Sequence, residues 1–253
     1  RGVFAKSLVC VVLTLGALWL VGPREPAALH IDHGRIAIPD DVDAYLASGE
    51  ARFDNIVPGT GKRISWFKTP GEKTPVSIVY IHGFSASSEE LRPVPDRVAA
   101  ALGANLYFTR LTGHGRGPAA MAEADVASWM HDVGEAMAIG RSIGDRVLVI
   151  STSTGATLAA AAALNDAAME NVGGFIFVSP NFGINNRAAS LLTWPLARQW
   201  LPLVLGDNRN SEPRNALHAR FWTTTYPTTA LLPMAALVKT VMRADFSRVS
   251  FSA

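Results

Sequence analysis

From Val76 onward, apolar positions switch repeatedly between continuous short runs and helical spacing. VSIVYIHGF (76–84) is a run of β-branched and apolar residues ended by a glycine turn, which predicts a buried parallel strand. SSEELRPVPDRVAAALGA (87–104) follows as a Ser-capped, proline-interrupted helix with apolar positions Val94, Val98 and Leu102. NLYFTRL (105–111) reads as a second strand, closed by the glycine-rich TGHGRG (112–117). VASWMHDVGEAMAIGRSIGD (126–145) predicts a long amphipathic helix and RVLVIS (146–151) a third strand. TGATLAAAAALNDA (154–167) is the third helix and GGFIFVSP (173–180) the fourth strand. Strand–helix alternation at this spacing implies right-handed crossovers and a mostly parallel sheet with helices on both faces, an α/β class.

The flanks follow other rhythms. DDVDAYLASGEARF (40–53) predicts a short helix, and GTGKRISWFKTPGEKTP (59–75) predicts turns around an edge strand. From Asn181 the chain holds short helical stretches, prolines and aromatics but few strand patterns, so 181–235 reads as an inserted helical cap. Residues 236–253 read as the start of a return to a core spanning 24–180. Before that core, Arg1 and Lys6 precede an apolar run from Leu8 to Gly22, and Pro23, Arg24 and Pro26 end it. A bilayer-spanning helix needs about 20 apolar residues. Residues 1–23 therefore read as a signal-peptide core or a short membrane anchor, with PAA (26–28) as a weak cleavage site. The positive flank predicts that the rest of the chain is exported or anchored facing the periplasm or exterior.

Composition narrows the function classes. With 49% hydrophobic and 17% charged residues, the 253-residue chain has ample material for a core. A net charge of +2 with dispersed basic residues carries no electrostatic footprint for nucleic acid. The single cysteine, Cys10, lies inside the N-terminal apolar run, which leaves the rest without disulfides or thiolate metal sites. No cofactor fingerprint or metal-ligand cluster is evident in the sequence.

Ligands of open α/β sheets bind outside the carboxyl ends of the strands. Three predicted ends carry unusual residues: His82-Gly83-Phe84, Gly113-His114-Gly115 and Ser151 to Gly155. In STSTG the middle hydroxyl, Ser153, sits where a strand-to-helix turn would hold a nucleophile, with Gly155 in the last position and Ser151 replacing the usual first glycine of G-x-S-x-G. The plainer reading is a helix N-cap, for which one hydroxyl suffices. The turn lacks the spacing of a dinucleotide-binding loop and the lysine of a P-loop. A Ser nucleophile also needs oxyanion donors, and the backbone N–H groups of Phe84 and Thr154 are expected to supply them. His82 and His114 are expected to brace the loops, and His131 to be a surface or packing residue.

In this order and spacing, YIHGFSASS, RLTGHGRG and ISTSTGAT resemble the α/β-hydrolase superfamily, in particular its bacterial esterase, monoacylglycerol-lipase and serine-aminopeptidase-like branch. The resemblance covers about residues 60–180. It implies an α/β-hydrolase fold, an acyl-enzyme on Ser153, oxyanion donors at Phe84 and Thr154, and a cap over an acyl pocket. Trp194, Trp200, Trp222 and Tyr226 are candidates to line that pocket or simply to pack the cap. The resemblance also implies a Ser–Asp/Glu–His triad whose acid and base follow late strands.

Only His218 follows Ser153, and Asp207 precedes it too closely for a strand and crossover helix to intervene. The expectation is therefore a C-terminally truncated hydrolase, its remaining sheet needing roughly 60 further residues. The resulting function is a serine hydrolase acting on a small acyl-ester or lipid substrate. The alternative is a membrane-tethered, non-catalytic binding protein.

Overall fold

A computed structural model describes residues 2–249. Helix α1 (Gly2–Val21) leads into an extended segment and α2 (Val42–Glu50), which Asp41 caps by accepting from the Ala44 N–H. Among the described residues, no helix is long and apolar enough to cross a membrane. There follow β1 (Arg63–Ser65), β2 (Thr74–Ile81), α3 (Val94–Leu102), β3 (Asn105–Phe108), α4 (Val126–Ile143), β4 (Gly144–Thr152), α5 (Thr154–Ala162), α6 (Asp166–Met169) and β5 (Val172–Val178). These five strands form one sheet in the order β1-β3-β2-β4-β5, parallel except for the edge strand β1.

The period-two geometry of a strand assigns the two faces. Val79, Ile81, Val147 and Val149 point into the main core with residues of α4, α5 and Leu237. Ile78, Tyr80, Leu106, Phe108 and Ile150 point the other way, where Ala99 of α3 meets them. Here the expected helix face is corrected. Helix α3 buries Pro95 and Ala99, while Val94 and Leu102 are about half exposed, because small residues let the helix lie close to the sheet. Helix α4 is also more enclosed than an amphipathic pattern suggests, and even Asp132 and Glu135 are buried. At β5 the covering stops short, leaving Ile176 and Phe177 exposed.

Beyond β5, a 3₁₀ turn (Arg187–Thr193), α7 (Ala197–Leu205), a hairpin of β6 (Asn208–Asn210) and β7 (Thr225–Pro227), and α8 (Ala216–Phe221) between its strands precede α9 (Leu231–Val241). Helix α9 joins two cores. Leu237 and Val241 belong to the main one, whereas Leu232 and Ala235 pack with Leu192, Ala197 and Leu201 in a small second cluster.

Candidate active site

The chain runs from β2 to β3 on one side and then returns to place β4 on the other side of β2. That reversal opens a crevice at the carboxyl ends of β2 and β4. Their register pairs Ile81 with Ser151, so the next residues of each strand, His82-Gly83 and Thr152-Ser153, emerge side by side.

The turn at Ser153 is held in a rare conformation. Ser153 has φ 50° and ψ −118°, a region that a non-glycine residue enters only when its surroundings impose it. Its N–H donates to the Val178 carbonyl at 3.0 Å, and its carbonyl accepts from the N–H groups of Ala156, Thr157 and Asn181. Although Ser153 occupies the N-cap position of α5, its hydroxyl makes no capping bond. Gly155 explains how the turn fits. A Cβ there would lie 2.4 Å from the Ile81 carbonyl oxygen and 2.5 Å from that of His82, so only glycine lets α5 approach β2 so closely. Gly83 is similarly tight, since a Cβ would sit 3.1 Å from that of Ser153. Ser151 is fully buried, and its hydroxyl has no hydrogen-bond partner among the described residues.

Several neighbouring loop donors are taken. Gly83 N–H donates to Glu90 Oε2 at 2.7 Å, and Ser85 N–H to His114 Nε2 at 3.0 Å. Ala86 N–H donates to the Gly83 carbonyl, Leu111 N–H to His82 Nε2, and Thr112 N–H to Asp132 Oδ2. Among the described residues, the N–H groups of Phe84 and Thr154 have no acceptor. Both flank Ser153, and the Thr154 N–H also opens helix α5, where the helix dipole favours negative charge.

The two histidines of these loops are buried and neutral. Because each Nε2 accepts a backbone N–H, the ring proton of each is on Nδ1, from which His82 donates to the Gly83 carbonyl and His114 to that of Thr112. Burial, aided by the neighbouring His114, lowers the His82 pKa to about 3, and burial lowers that of His114 to about 4. With both nitrogens of each ring engaged, neither histidine is available to Ser153. His131 is exposed on α4.

The remaining candidates scatter. His218, on α8, stacks on Trp222 at 4.9 Å and accepts from Arg214 N–H, while the Asp207 carbonyl accepts from Thr228 N–H. Among the described residues, no hydrogen bond or ion pair joins Asp207 to His218 or either of them to Ser153. Of the four cap aromatics, Tyr226 packs on Phe84, with ring centres 5.3 Å apart, and Thr223 N–H holds the Ser85 carbonyl. Trp194 and Trp200 pack on each other instead.

Three residues that shape the site carried no sequence signal. Glu90, whose carboxyl is pushed up by burial, anchors Gly83 and lies 3.4 Å from the Tyr80 hydroxyl. Asp132 holds Thr112, and Asn181 binds Thr154 Oγ1 through its side chain. The partners of Asp132 and Asn181 are 20 and 27 residues away, so no local spacing marks them.

The family model described as "Alpha/beta hydrolase family" matches residues 78–250. Among solved structures, one reported for the metagenome-derived lipolytic enzymes LipS and LipT is similar at 20% identity and a TM-score of 0.59, covering 78% of this chain and 74% of that one. A soluble variant of monoglyceride lipase from Saccharomyces cerevisiae is similar at 13% identity and a TM-score of 0.51, covering 72% and 64% respectively. No curated protein matches the chain.

Proposed function

The chain belongs to the alpha/beta hydrolase family, and from that premise we propose that it is a serine hydrolase cleaving a carboxylic ester through an acyl-enzyme on Ser153. One observation carries this reading: beside the strained, uncapped Ser153, the Phe84 N–H lacks an acceptor while those of Gly83 and Ser85 on either side of it are bonded, and the Thr154 N–H at the start of α5 lacks one too. A backbone N–H without a protein acceptor must be met by water or a ligand. Two such donors beside a hydroxyl suit the oxyanion of a tetrahedral intermediate.

In the proposed reaction, the Ser153 oxygen attacks the acyl carbon and loses its proton to a base. The carbonyl oxygen becomes an oxyanion between the Phe84 and Thr154 N–H groups. Collapse breaks the ester bond and expels the alcohol, which takes up that proton. Water then attacks the acyl-enzyme to release the acid and restore Ser153. His82 and His114 hold the loops and do not take the Ser153 proton. Phe84 and Tyr226, both partly exposed, supply an apolar wall suited to an acyl group, with Trp129 buried behind Phe84.

The test compares wild type with Ser153→Ala in hydrolysis of p-nitrophenyl esters and in labelling by a fluorophosphonate probe. Turnover should fall at least about 1,000-fold in the variant, and labelling should vanish. Ester turnover that survives Ser153→Ala would overturn the assignment. A wild-type protein that neither turns over esters nor labels, yet binds them, would favour the non-catalytic binding protein instead.

A further inference from the structure

Helix α1 ends against the cap beside a cavity lined by cations. Gly22 N–H closes the last turn on the Leu18 carbonyl, and Arg24 folds back to donate to the carbonyls of Trp19 and Gly22. The chain is then fixed to the body: Leu196 N–H donates to the Pro23 carbonyl at 2.7 Å, and Arg198 pairs with both oxygens of Glu25. The Trp19 ring meets Trp194 edge-on, with centres 5.0 Å apart. Between this junction, the turn at 184–194 and α9 lies a cavity of ≈ 510 Å³.

Its charge is one-sided. Arg24, Lys239 and Arg243 line it, and no carboxylate does. Among the described residues none of the three forms an ion pair, and Glu25, next to Arg24 in the chain, is taken by Arg198. Lys239 donates only to Thr193 Oγ1 at 3.0 Å. Burial and the charges of Arg243 and Arg24 together lower the Lys239 pKa, as uncompensated like charges require. The neighbouring surface is apolar instead. Leu20 and Val21 at the tip of α1 are 78% and 81% exposed, and both tryptophans are partly exposed where the charged and apolar regions meet.

Three cations without a carboxylate partner at the foot of an exposed apolar helix, with tryptophans at the boundary, match an anionic amphiphile. We propose that this cavity seats the phosphate of an anionic phospholipid in a bilayer surface, with the lipid chains lying along the exposed residues of α1. A free phosphate would satisfy the cations but leave the tryptophans and the apolar helix tip without a role. The site is independent of the acyl chemistry at Ser153.

The test measures partitioning of the full chain onto phosphatidylcholine vesicles with and without phosphatidylglycerol. Each cation near an anionic surface contributes about a fivefold preference, so three predict a preference on the order of 100-fold. Arg24→Gln/Lys239→Gln/Arg243→Gln should lose it. Lys68→Gln/Lys73→Gln/Arg97→Gln, which removes the same charge elsewhere, should keep it. Circular dichroism verifies folding, and should the first triple variant fail to fold, Lys239→Gln alone should cost about fivefold. An unchanged preference in the cavity variant, or an equal loss in the control variant, would overturn the proposal. Loss of the preference on adding millimolar inorganic phosphate at constant ionic strength would overturn it too, identifying a site for the free anion.

Discussion

Lowering the pH from 7 to 5 should remove about 4 kcal/mol of stability through two buried loop histidines that make no hydrogen bond to Ser153. Unfolded, each ring titrates near 6.5. Folded, His82 titrates at about 3 and His114 at about 4, chiefly because burial opposes the charge. Between pH 7 and 5 the unfolded rings therefore become almost fully protonated while the folded rings stay neutral. The unfolded state binds more protons, so this contribution is intact above the unfolded pKa and is lost as pH falls toward the folded values. Integrating one proton per ring over the window gives about 2 kcal/mol for each. Glu90 and Asp132, both pushed up by burial, bind protons more readily when folded and act in the opposite sense.

Variants separate these contributions. Urea unfolding of wild type, His82→Gln and His114→Gln at both pH values should show each variant losing about 2 kcal/mol less than wild type over the window. Ring nitrogen chemical shifts at pH 7 should show the Nδ1–H tautomer at both positions, an independent check should a variant fold poorly. If the variants lost as much stability as wild type, to within about 0.5 kcal/mol, the rings would be gaining protons in the folded state and the buried-neutral account would fail.

Two further substitutions probe the scaffold. Gly155→Ala places a Cβ against two backbone carbonyls and should cost about 1–3 kcal/mol in urea unfolding, with at least about a tenfold loss of ester turnover as α5 is pushed from the Gly83 loop. An unchanged protein would mean that the crossing is looser than these contacts imply. Lys62→Met strands the buried Asp132 and Glu135, which Lys62 contacts together, and should cost about 3–5 kcal/mol. Adding Asp132→Asn and Glu135→Gln should recover part of that loss, and no recovery would assign the cost to packing.

What was legible in the sequence was whatever repeats locally. Continuous apolar runs marked β2 through β5, and helical spacing marked α3 to α5, because strand and helix periods are properties of neighbouring residues. The three strand-end motifs were visible for the same reason, and the β2–β4 register brings two of them side by side. The face of α3 was misjudged because pattern alone cannot tell that a close crossing favours Ala99 over Leu102. In the cap, aromatic content fitted an acyl pocket and simple packing equally well. The short hairpin and turns instead send Tyr226 to Phe84, Trp222 to His218, and Trp194 to Trp19 and Trp200.

The polar contacts that anchor loop N–H groups explain why the strand-end loops carry so many buried groups. Glu90 fixes Gly83, His114 fixes Ser85, His82 fixes Leu111 and Asp132 fixes Thr112, each by accepting one main-chain N–H from a loop. Each such acceptor is costly to bury, and all four are visibly penalised by burial in their protonation. Apolar side chains would fill the same space at lower cost but would leave loop N–H groups unmet. The arrangement thus trades stability for definition of the backbone around Phe84 and Ser153. Replacing a loop acceptor should therefore impair turnover more than substrate binding, because an oxyanion requires its donors in place at the transition state whereas an acyl chain tolerates a shifted wall.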